Sequence, residues 1–127
     1  MAADLASSPV GGLRSQLFGD AHLSNFGIFD TPQRTLMFGI NDFDDTLPGP
    51  VEWDVKRLAA SVEIAGRDLG FTVAQRDRAV LATARAYRLA MHEFATMRHL
   101  ELWYTRLLVP TCGNGSSTGP ITRPLTR

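Results

Sequence analysis

Two short apolar runs with a polar segment between them constrain the fold most strongly. Residues 26–29 read Phe-Gly-Ile-Phe and residues 35–40 read Thr-Leu-Met-Phe-Gly-Ile, and the five residues between them include a proline and an aspartate. β-Prone runs of this length on either side of a turn are typical of a β-hairpin. We therefore predict a hairpin here. The loops that precede residue 26 and follow residue 40 then emerge at the same end.

The rest of the chain carries helical patterns. Pro50 fits the first turn of a helix, because its missing N–H has no partner there anyway, and Gly66 and Gly70 are expected to end that helix. Thr72-Val73-Ala74-Gln75 matches a capping box, which predicts the start of another helix.

In this second helix apolar residues recur at steps of three and four, and they are predicted to form one stripe that runs on to Leu108, with a break near Thr96 and a stop at Pro110. The fold class is therefore predicted to be α+β, a short antiparallel hairpin with acidic loops followed by two or three helices.

Length and charge exclude several classes of protein. The 127 residues suit one domain, and 13 basic and 13 acidic residues cancel, so no nucleic-acid or anionic-membrane surface is expected. The single cysteine excludes an internal disulfide. With no apolar stretch of membrane-spanning length and no secretory signal, we expect a cytoplasmic protein. Residues 110–127 are small, polar and turn-forming, and we expect them to be disordered.

The loop before the hairpin contains Asp20 followed five positions later by Asn25, with His22 between them. Phosphoryl transfer needs a group that orients or deprotonates a hydroxyl and a group that holds a divalent ion on the phosphate oxygens. A carboxylate suits the first task, and an asparagine oxygen suits magnesium. This is also the D-x-x-x-x-N spacing of the kinase catalytic loop.

The loop after the hairpin reads Asn41-Asp42-Phe43-Asp44-Asp45, and Asp42 follows Asn25 by 17 positions. The hairpin is expected to bring Asp42 near Asn25, where a magnesium ion would bridge them. Further on, Asp54 is expected at the start of a helix. Two roles stay open for Asp54: a carboxylate favoured by the helix dipole, or a residue that hydrogen-bonds the backbone of the first loop.

These segments, FGDAHLSNFG, NDFDDT and GPVEWDVKRLAAS, resemble a bacterial family of domains of unknown function that is distantly similar to aminoglycoside phosphotransferases and protein kinases. The resemblance covers about residues 1–109. It implies that Asp20 is the catalytic base, that Asn25 and Asp42 are magnesium ligands, and that Asp54 is a supporting residue. His22 and Asp44 are further supporting candidates. Phe18 departs from the aminoglycoside pattern, which has histidine before Gly-Asp.

The resemblance further implies Mg²⁺ and ATP as cofactors and a hydroxyl acceptor that the sequence does not identify. Such folds carry a phosphate-covering loop and an ATP-binding lysine ahead of the catalytic loop, whereas the only lysine here, Lys56, follows the second loop. We therefore expect a fragment of a kinase-like catalytic lobe, inactive by itself. Apolar surface left uncovered in such a fragment is expected to cause self-association.

Two alternatives stay open. Asp42-Phe43-Asp44-Asp45-Thr46 fits the D-x-D-x-T of haloacid-dehalogenase-like phosphatases, with Asp42 as nucleophile and Asp44 as general acid and base. A non-catalytic pseudoenzyme or truncated gene product is the other. Six arginines are expected to be solvated on helix faces with local ion pairs: Arg57, Arg67, Arg76, Arg78, Arg85 and Arg88.

Overall fold

The computed structural model describes residues 2–32, 34–108 and 121–124. Its elements, in chain order, are α1 (Ala2–Leu5), β1 (Arg14–Leu17), a 3₁₀ turn (Leu23–Asn25), β2 (Phe26–Asp30), β3 (Leu36–Ile40), β4 (Leu47–Pro50), α2 (Glu52–Asp68), α3 (Val73–Phe94), α4 (His99–Tyr104), β5 (Thr105–Leu108) and β6 (Ile121–Pro124). The fold is α+β, as the sequence predicted. No helix of this described part is both long and apolar enough to cross a membrane.

The predicted hairpin is present as β2 and β3, which pair antiparallel with Phe26 opposite Ile40 and Asp30 opposite Leu36. Its sheet has the strand order β2-β3-β5-β6. Strand β5 was expected to be helix, because Leu108 continues the apolar stripe of α3. The helical run instead ends at Tyr104, and the following residues pair with the open edge of β3, with Met37 opposite Leu108. Pairing across the sheet therefore overrides a helical pattern.

A second correction concerns the segment after Asp45. It was expected to be loop up to Pro50, which was to open the helix. Instead Leu47–Pro50 is strand β4 and pairs with β1, Leu17 opposite Leu47 and Arg14 opposite Pro50. Two prolines are tolerated because this sheet has two strands among the residues that the structure describes, so each strand keeps one edge without a ladder partner there. The helix α2 begins two residues later, at Glu52.

Only one of the two glycines expected to end α2 does so. Gly70 has φ +71°, and the N–H groups of Gly70 and Phe71 donate to the carbonyls of Arg67 (3.0 Å) and Gly66 (2.9 Å). That is a Schellman C-terminus. Gly66 lies inside α2 and is buried, and a Cβ there would approach Arg76 Cγ to 2.9 Å. Gly66 therefore serves the close packing of α3 against α2.

The capping box at the start of α3 is confirmed, since Thr72 accepts from Gln75 N and the Gln75 side chain accepts from Thr72 N. The break expected near Thr96 is also present, because α3 ends at Phe94 and α4 begins at His99. The tail expected to be disordered lies mostly outside the described residues. Its residues 121–124, however, form β6, paired with β5.

Ion pairs tie α2 to α3. Glu63 Oε1 accepts from Arg67 Nε and from Arg76 Nε, each at 2.8 Å. These hydrogen bonds, that of Arg67 first, lower the pKa of Glu63 below its ordinary value. The pair with Arg67 is local, as predicted, whereas Arg76 belongs to the neighbouring helix and its side chain is only 17% exposed. Arg76 was therefore wrongly expected to be a solvated residue with a local partner.

The core is small. Among residues 4–32 and 34–105, for which burial is described, the buried hydrophobic residues are Leu17, just before the first acidic loop, and Ala21, within it. The apolar stripe of α3 is only partly covered, with Tyr87 and Met91 exposed to 37% and 40%. The best-packed part of the described fold is therefore the part that holds this loop.

Candidate active site

The hairpin brings the two acidic loops together. Its pairing extends one step beyond the strands, because Asn41 N donates to Asn25 O at 2.9 Å. Asp42, the next residue, therefore lies beside the end of the first loop. The side chain of Asn41 covers Gly27, where a Cβ would come within 2.8 Å of the Asn41 Nδ2 atom. The sequence-based expectation that the loops emerge at the same end is confirmed.

Direct packing also joins the loops. Phe18 precedes Gly19-Asp20, and its ring lies edge-on to that of Phe43, with centroids 5.9 Å apart, and to that of Phe26, 6.1 Å apart. Aromatic pairs of this kind contribute about 0.5–1.5 kcal/mol beyond the area that they bury. Gly19 has φ +87°, and a Cβ on it would overlap the carbonyl of Asp45. A glycine is therefore required immediately before Asp20.

Asp20 lies at the centre of the first loop, and groups from three directions approach its carboxylate. Asn25 Nδ2 donates to Asp20 Oδ2 at 3.1 Å and also to the Asp20 carbonyl at 3.1 Å. His22 Nε2 lies 3.1 Å from the same Oδ2. The guanidinium of Arg57 pairs with Oδ1. Three predicted residues, Asp20, His22 and Asn25, thus lie in direct contact.

These neighbours set the charge of Asp20. Desolvation by partial burial would raise the pKa of this carboxyl, but the hydrogen bond and charge of Arg57, the charge of His22 and the hydrogen bond from Asn25 together outweigh it. The pKa of Asp20 is therefore lowered, and the group is ionised at neutral pH.

Asp54 lies behind the loop, in the first turn of α2. Its Oδ2 accepts from Phe18 N at 2.7 Å and its Oδ1 accepts from Gly19 N at 3.1 Å. Both placements left open by the sequence occur together, because Asp54 lies in the first turn of α2 and also accepts from the loop backbone. A carboxylate that takes two consecutive backbone N–H groups fixes the path of the chain into Asp20.

The second loop is a turn of closely spaced carboxylates. Asp44 N donates to Asp42 Oδ1 at 3.4 Å. A side-chain hydrogen bond with Asp42, followed by the negative charges of Asp42 and Asp45, raises the pKa of Asp44. Like charges crowded in this way are relieved by a cation.

The donor atoms suit a hard cation that arrives with phosphate. Asn25 and Asp42 offer an amide oxygen and a carboxylate, and both hydrogen bonds that Asn25 makes to Asp20 use its nitrogen. Mg²⁺ is often held by one or two protein carboxylates together with substrate phosphates and water. Within the described residues, no group of three His, Cys, Asp or Glu side chains converges as a metal site. Asn25 and Asp42 supply two oxygen donors, so an ion held there would take its remaining ligands from phosphate and water.

Arg57 and Lys56 make contacts that the sequence did not predict. Arg57 was expected to be a solvated residue with a local partner, yet its side chain is 30% exposed and its carboxylate partner lies 37 positions earlier. Its position three residues after Asp54 was the signal available, because residues so spaced share a helix face. Lys56 points elsewhere and donates to Ser8 Oγ at 2.6 Å and to Pro9 O at 2.9 Å.

Comparison with known proteins gives a match to a protein family. A family model described as "Uncharacterized protein conserved in bacteria (DUF2252)" matches residues 1–122. The match extends beyond residue 109, the limit set from the sequence motifs. No curated protein and no solved structure matches the chain. The match thus establishes a family but no activity, because the family is uncharacterised.

Proposed function

The chain belongs to this family of uncharacterised proteins conserved in bacteria (DUF2252), and we propose that its two acidic loops form the catalytic centre of a kinase-like, Mg²⁺- and ATP-dependent phosphotransferase. The observation that carries the proposal is the contact between Asp20 and Asn25. Nδ2 of Asn25 donates a hydrogen bond to the Asp20 carboxylate at 3.1 Å. The backbone carbonyl of Asn25 accepts a hydrogen bond from the N–H of Asn41, the residue before Asp42. The base and both metal ligands thus belong to one connected unit.

Each residue has a distinct part in this proposal. The Asp20 carboxylate would accept a hydrogen bond from the hydroxyl of the acceptor and take its proton, as the hydroxyl oxygen bonds to the γ-phosphorus of ATP and the bond from that phosphorus to the departing ADP breaks. Its lowered pKa keeps it ionised and ready to accept at neutral pH. Asn25 and Asp42 hold the divalent ion by oxygen atoms. Asp54 keeps the backbone of the loop in place through Phe18 and Gly19.

Bound MgATP would supply the phosphoryl group and the charge that offsets its negative oxygens. The protein residues then need only to position the hydroxyl and the ion. Support for a cation at this place comes from the close spacing of the carboxylates in the second loop, where Asp44 N donates to Asp42 Oδ1 at 3.4 Å.

The metal part of the proposal is tested with Mn²⁺, which broadens NMR signals of nearby nuclei. We expect titration of the 127-residue chain to broaden the amide signals of Asn25 and Asp42 first. Asp42→Asn should weaken binding by roughly tenfold or more, because it removes the charged ligand. Asp30→Asn is the matched control, since Asp30 lies at the opposite end of the same hairpin. Equal Mn²⁺ affinity in both variants would remove the metal site from the proposal.

The catalytic part is tested by release of ADP from MgATP, with water and then with a panel of sugars and amino sugars as acceptors. Loss of a general base costs typically 10²–10⁴-fold, so Asp20→Asn should lower the rate by at least about 10²-fold. Turnover that survives this substitution would refute the role of Asp20. Metal and nucleotide binding without measurable turnover would instead support the non-catalytic alternative, a pseudoenzyme that keeps the binding groups.

One observation favours a second candidate, the haloacid-dehalogenase-like phosphatase. Asp42 and Asp44 lie side by side, with Asp44 N donating to Asp42 Oδ1 at 3.4 Å, as a nucleophile and its acid partner would. The strand that leads to Asp42, β3, has antiparallel neighbours on both sides, whereas that fold needs a parallel sheet. Hydrolysis of p-nitrophenyl phosphate that is lost in Asp44→Asn and retained in Asp20→Asn would reverse the order of the two candidates.

A further inference from the structure

Arg57 occupies a place that the catalytic proposal has not used. It lies on α2, one turn after Asp54, and its guanidinium pairs with Oδ1 of Asp20. It also lines, with Gly19 and Asp54, a cavity of about 50 Å³ between α2 and the first loop. The same short stretch of helix therefore holds the backbone of the loop through Asp54 and the Asp20 side chain through Arg57.

The two oxygens of the Asp20 carboxylate have different numbers of hydrogen-bonding partners. An ionised carboxylate offers about four lone-pair positions, two on each oxygen. Asn25 Nδ2 and His22 Nε2 both lie 3.1 Å from Oδ2, so that oxygen has two close partners. Within the part of the chain that the structure describes, Oδ1 is paired with Arg57 alone. One lone pair of Oδ1 therefore remains, and the side chain of Asp20 is 26% exposed.

We propose that Arg57 is a positioning residue that fixes Oδ1 of Asp20 as the atom to which the acceptor hydroxyl binds. The proposal rests on the phosphotransfer function proposed above. The terminal torsion of a carboxylate is broad and two-fold. Asn25 and His22 restrain Oδ2 of Asp20, and Arg57 adds the restraint on Oδ1 that keeps the two oxygens from exchanging places. The planar guanidinium of arginine restrains a carboxylate better than the point charge of lysine does. Arg57 thereby sets the direction from which the hydroxyl approaches.

The experiment compares Arg57→Gln with Arg76→Gln. Arg76 is a matched control, because it is also a partly buried arginine that donates to a carboxylate across elements, with Nε 2.8 Å from Glu63 Oε1. ADP release from MgATP is measured with water as the acceptor. We expect Arg57→Gln to lower kcat roughly 10²-fold, the cost of a misplaced reacting group, with KM for MgATP within twofold. Arg57→Lys should recover part of the loss, and Arg76→Gln should leave kcat unchanged.

A second readout does not depend on turnover. The side-chain ¹⁵N signals of a guanidinium held by a carboxylate differ from those of a free one, because rotation about its C–N bonds is hindered. We expect the Arg57 signals to shift in Asp20→Asn and to stay unchanged in Asp30→Asn. Mn²⁺ affinity should be the same in Arg57→Gln and the unmodified chain, since Arg57 is not a ligand.

The outcomes separate the two proposals. If the chain shows no turnover, as expected of a fragment that is inactive by itself, the non-catalytic alternative is favoured over turnover by this chain, and the Arg57 signals alone decide whether Arg57 holds Asp20. If turnover depends on Asp20 while Arg57→Gln and Arg76→Gln have equal kcat, the positioning role is overturned. Indifference of the Arg57 signals to Asp20→Asn also overturns it. Should Arg57→Gln fail to fold, Arg57→Lys takes its place, and an unchanged kcat in that variant counts against the proposal.

Discussion

Removal of the Asp54 carboxylate is the perturbation whose cost follows most directly from the structure. Asp54→Ala leaves the N–H groups of Phe18 and Gly19 without the acceptors that they have at 2.7 and 3.1 Å. A hydrogen bond to a charged group contributes about 1.5–3 kcal/mol. Both bonds are partly buried, so we take the lower value for each and expect a loss of about 3 kcal/mol. That is a large share of the 5–15 kcal/mol typical of a domain.

Urea unfolding followed by circular dichroism measures this loss. With a slope of about 1.5 kcal/mol per M, 3 kcal/mol lowers the midpoint by about 2 M. Asp77→Ala is the control, because Asp77 is an exposed aspartate within α3 and its removal should cost less than about 0.5 kcal/mol. Amide exchange at Phe18 and Gly19 should accelerate in Asp54→Ala and stay slow in the control. A midpoint equal to that of the control, or unchanged exchange at these two amides, would refute the reasoning.

Three further predictions address the loop, the helices and the sheet edge. Gly19→Ala should destabilise by about 2 kcal/mol more than Gly12→Ala in urea unfolding, because both have positive φ but only at Gly19 would the Cβ overlap backbone. Because the pKa of Glu63 is lowered in the folded state, the unfolded state binds more protons. The decrease in the free energy of unfolding caused by Glu63→Gln should therefore be largest above pH 4.5 and should shrink as the pH falls below that value. Equal decreases at pH 3 and pH 7 would contradict this. Strand β2 is an open edge with Ile28 57% exposed, so we expect concentration-dependent self-association in sedimentation and a weaker one in Ile28→Lys. A monomer at all concentrations would count against the last prediction.

The sequence predicts those elements whose signals are local. The capping box at Thr72 lies within four residues, and the hairpin depends on a turn and two adjacent runs. The prediction that Asp20, Asn25 and Asp42 form one candidate site also depends on short separations along the chain. Motifs of this kind define the site because the groups that form it are neighbours either along the chain or across one hairpin.

The missed elements depend on distant partners. Strand β4 contains Pro48 and Pro50 and looks like a loop until β1, more than 30 residues earlier, is placed beside it. Strand β5 continues a helical stripe and becomes a strand only because β3 offers an open edge. Arg57 is one of six helix arginines, and nothing in its immediate surroundings marks it as the partner of Asp20. Contacts with partners distant in the chain determine these features, and the local propensity of the sequence does not.

Three residues of α2, Asp54, Arg57 and Ser61, contact the first loop in order. Asp54 accepts hydrogen bonds from the N–H groups of Phe18 and Gly19. Arg57 donates to the Asp20 carboxylate, and Ser61 Oγ accepts from Leu23 N at 3.2 Å. Their spacing of three and four residues keeps them on one face of the helix.

This arrangement determines where relatives can differ in length. One residue inserted between Asp54 and Ser61 would rotate the later contacts by about 100° away from the loop, so that stretch must keep its length. The turn between β2 and β3 lies outside these contacts, and doubling a flexible loop costs only about 0.6 kcal/mol in closure entropy. Insertions and deletions among family members should therefore collect in the hairpin turn and be absent from residues 54–61 of α2.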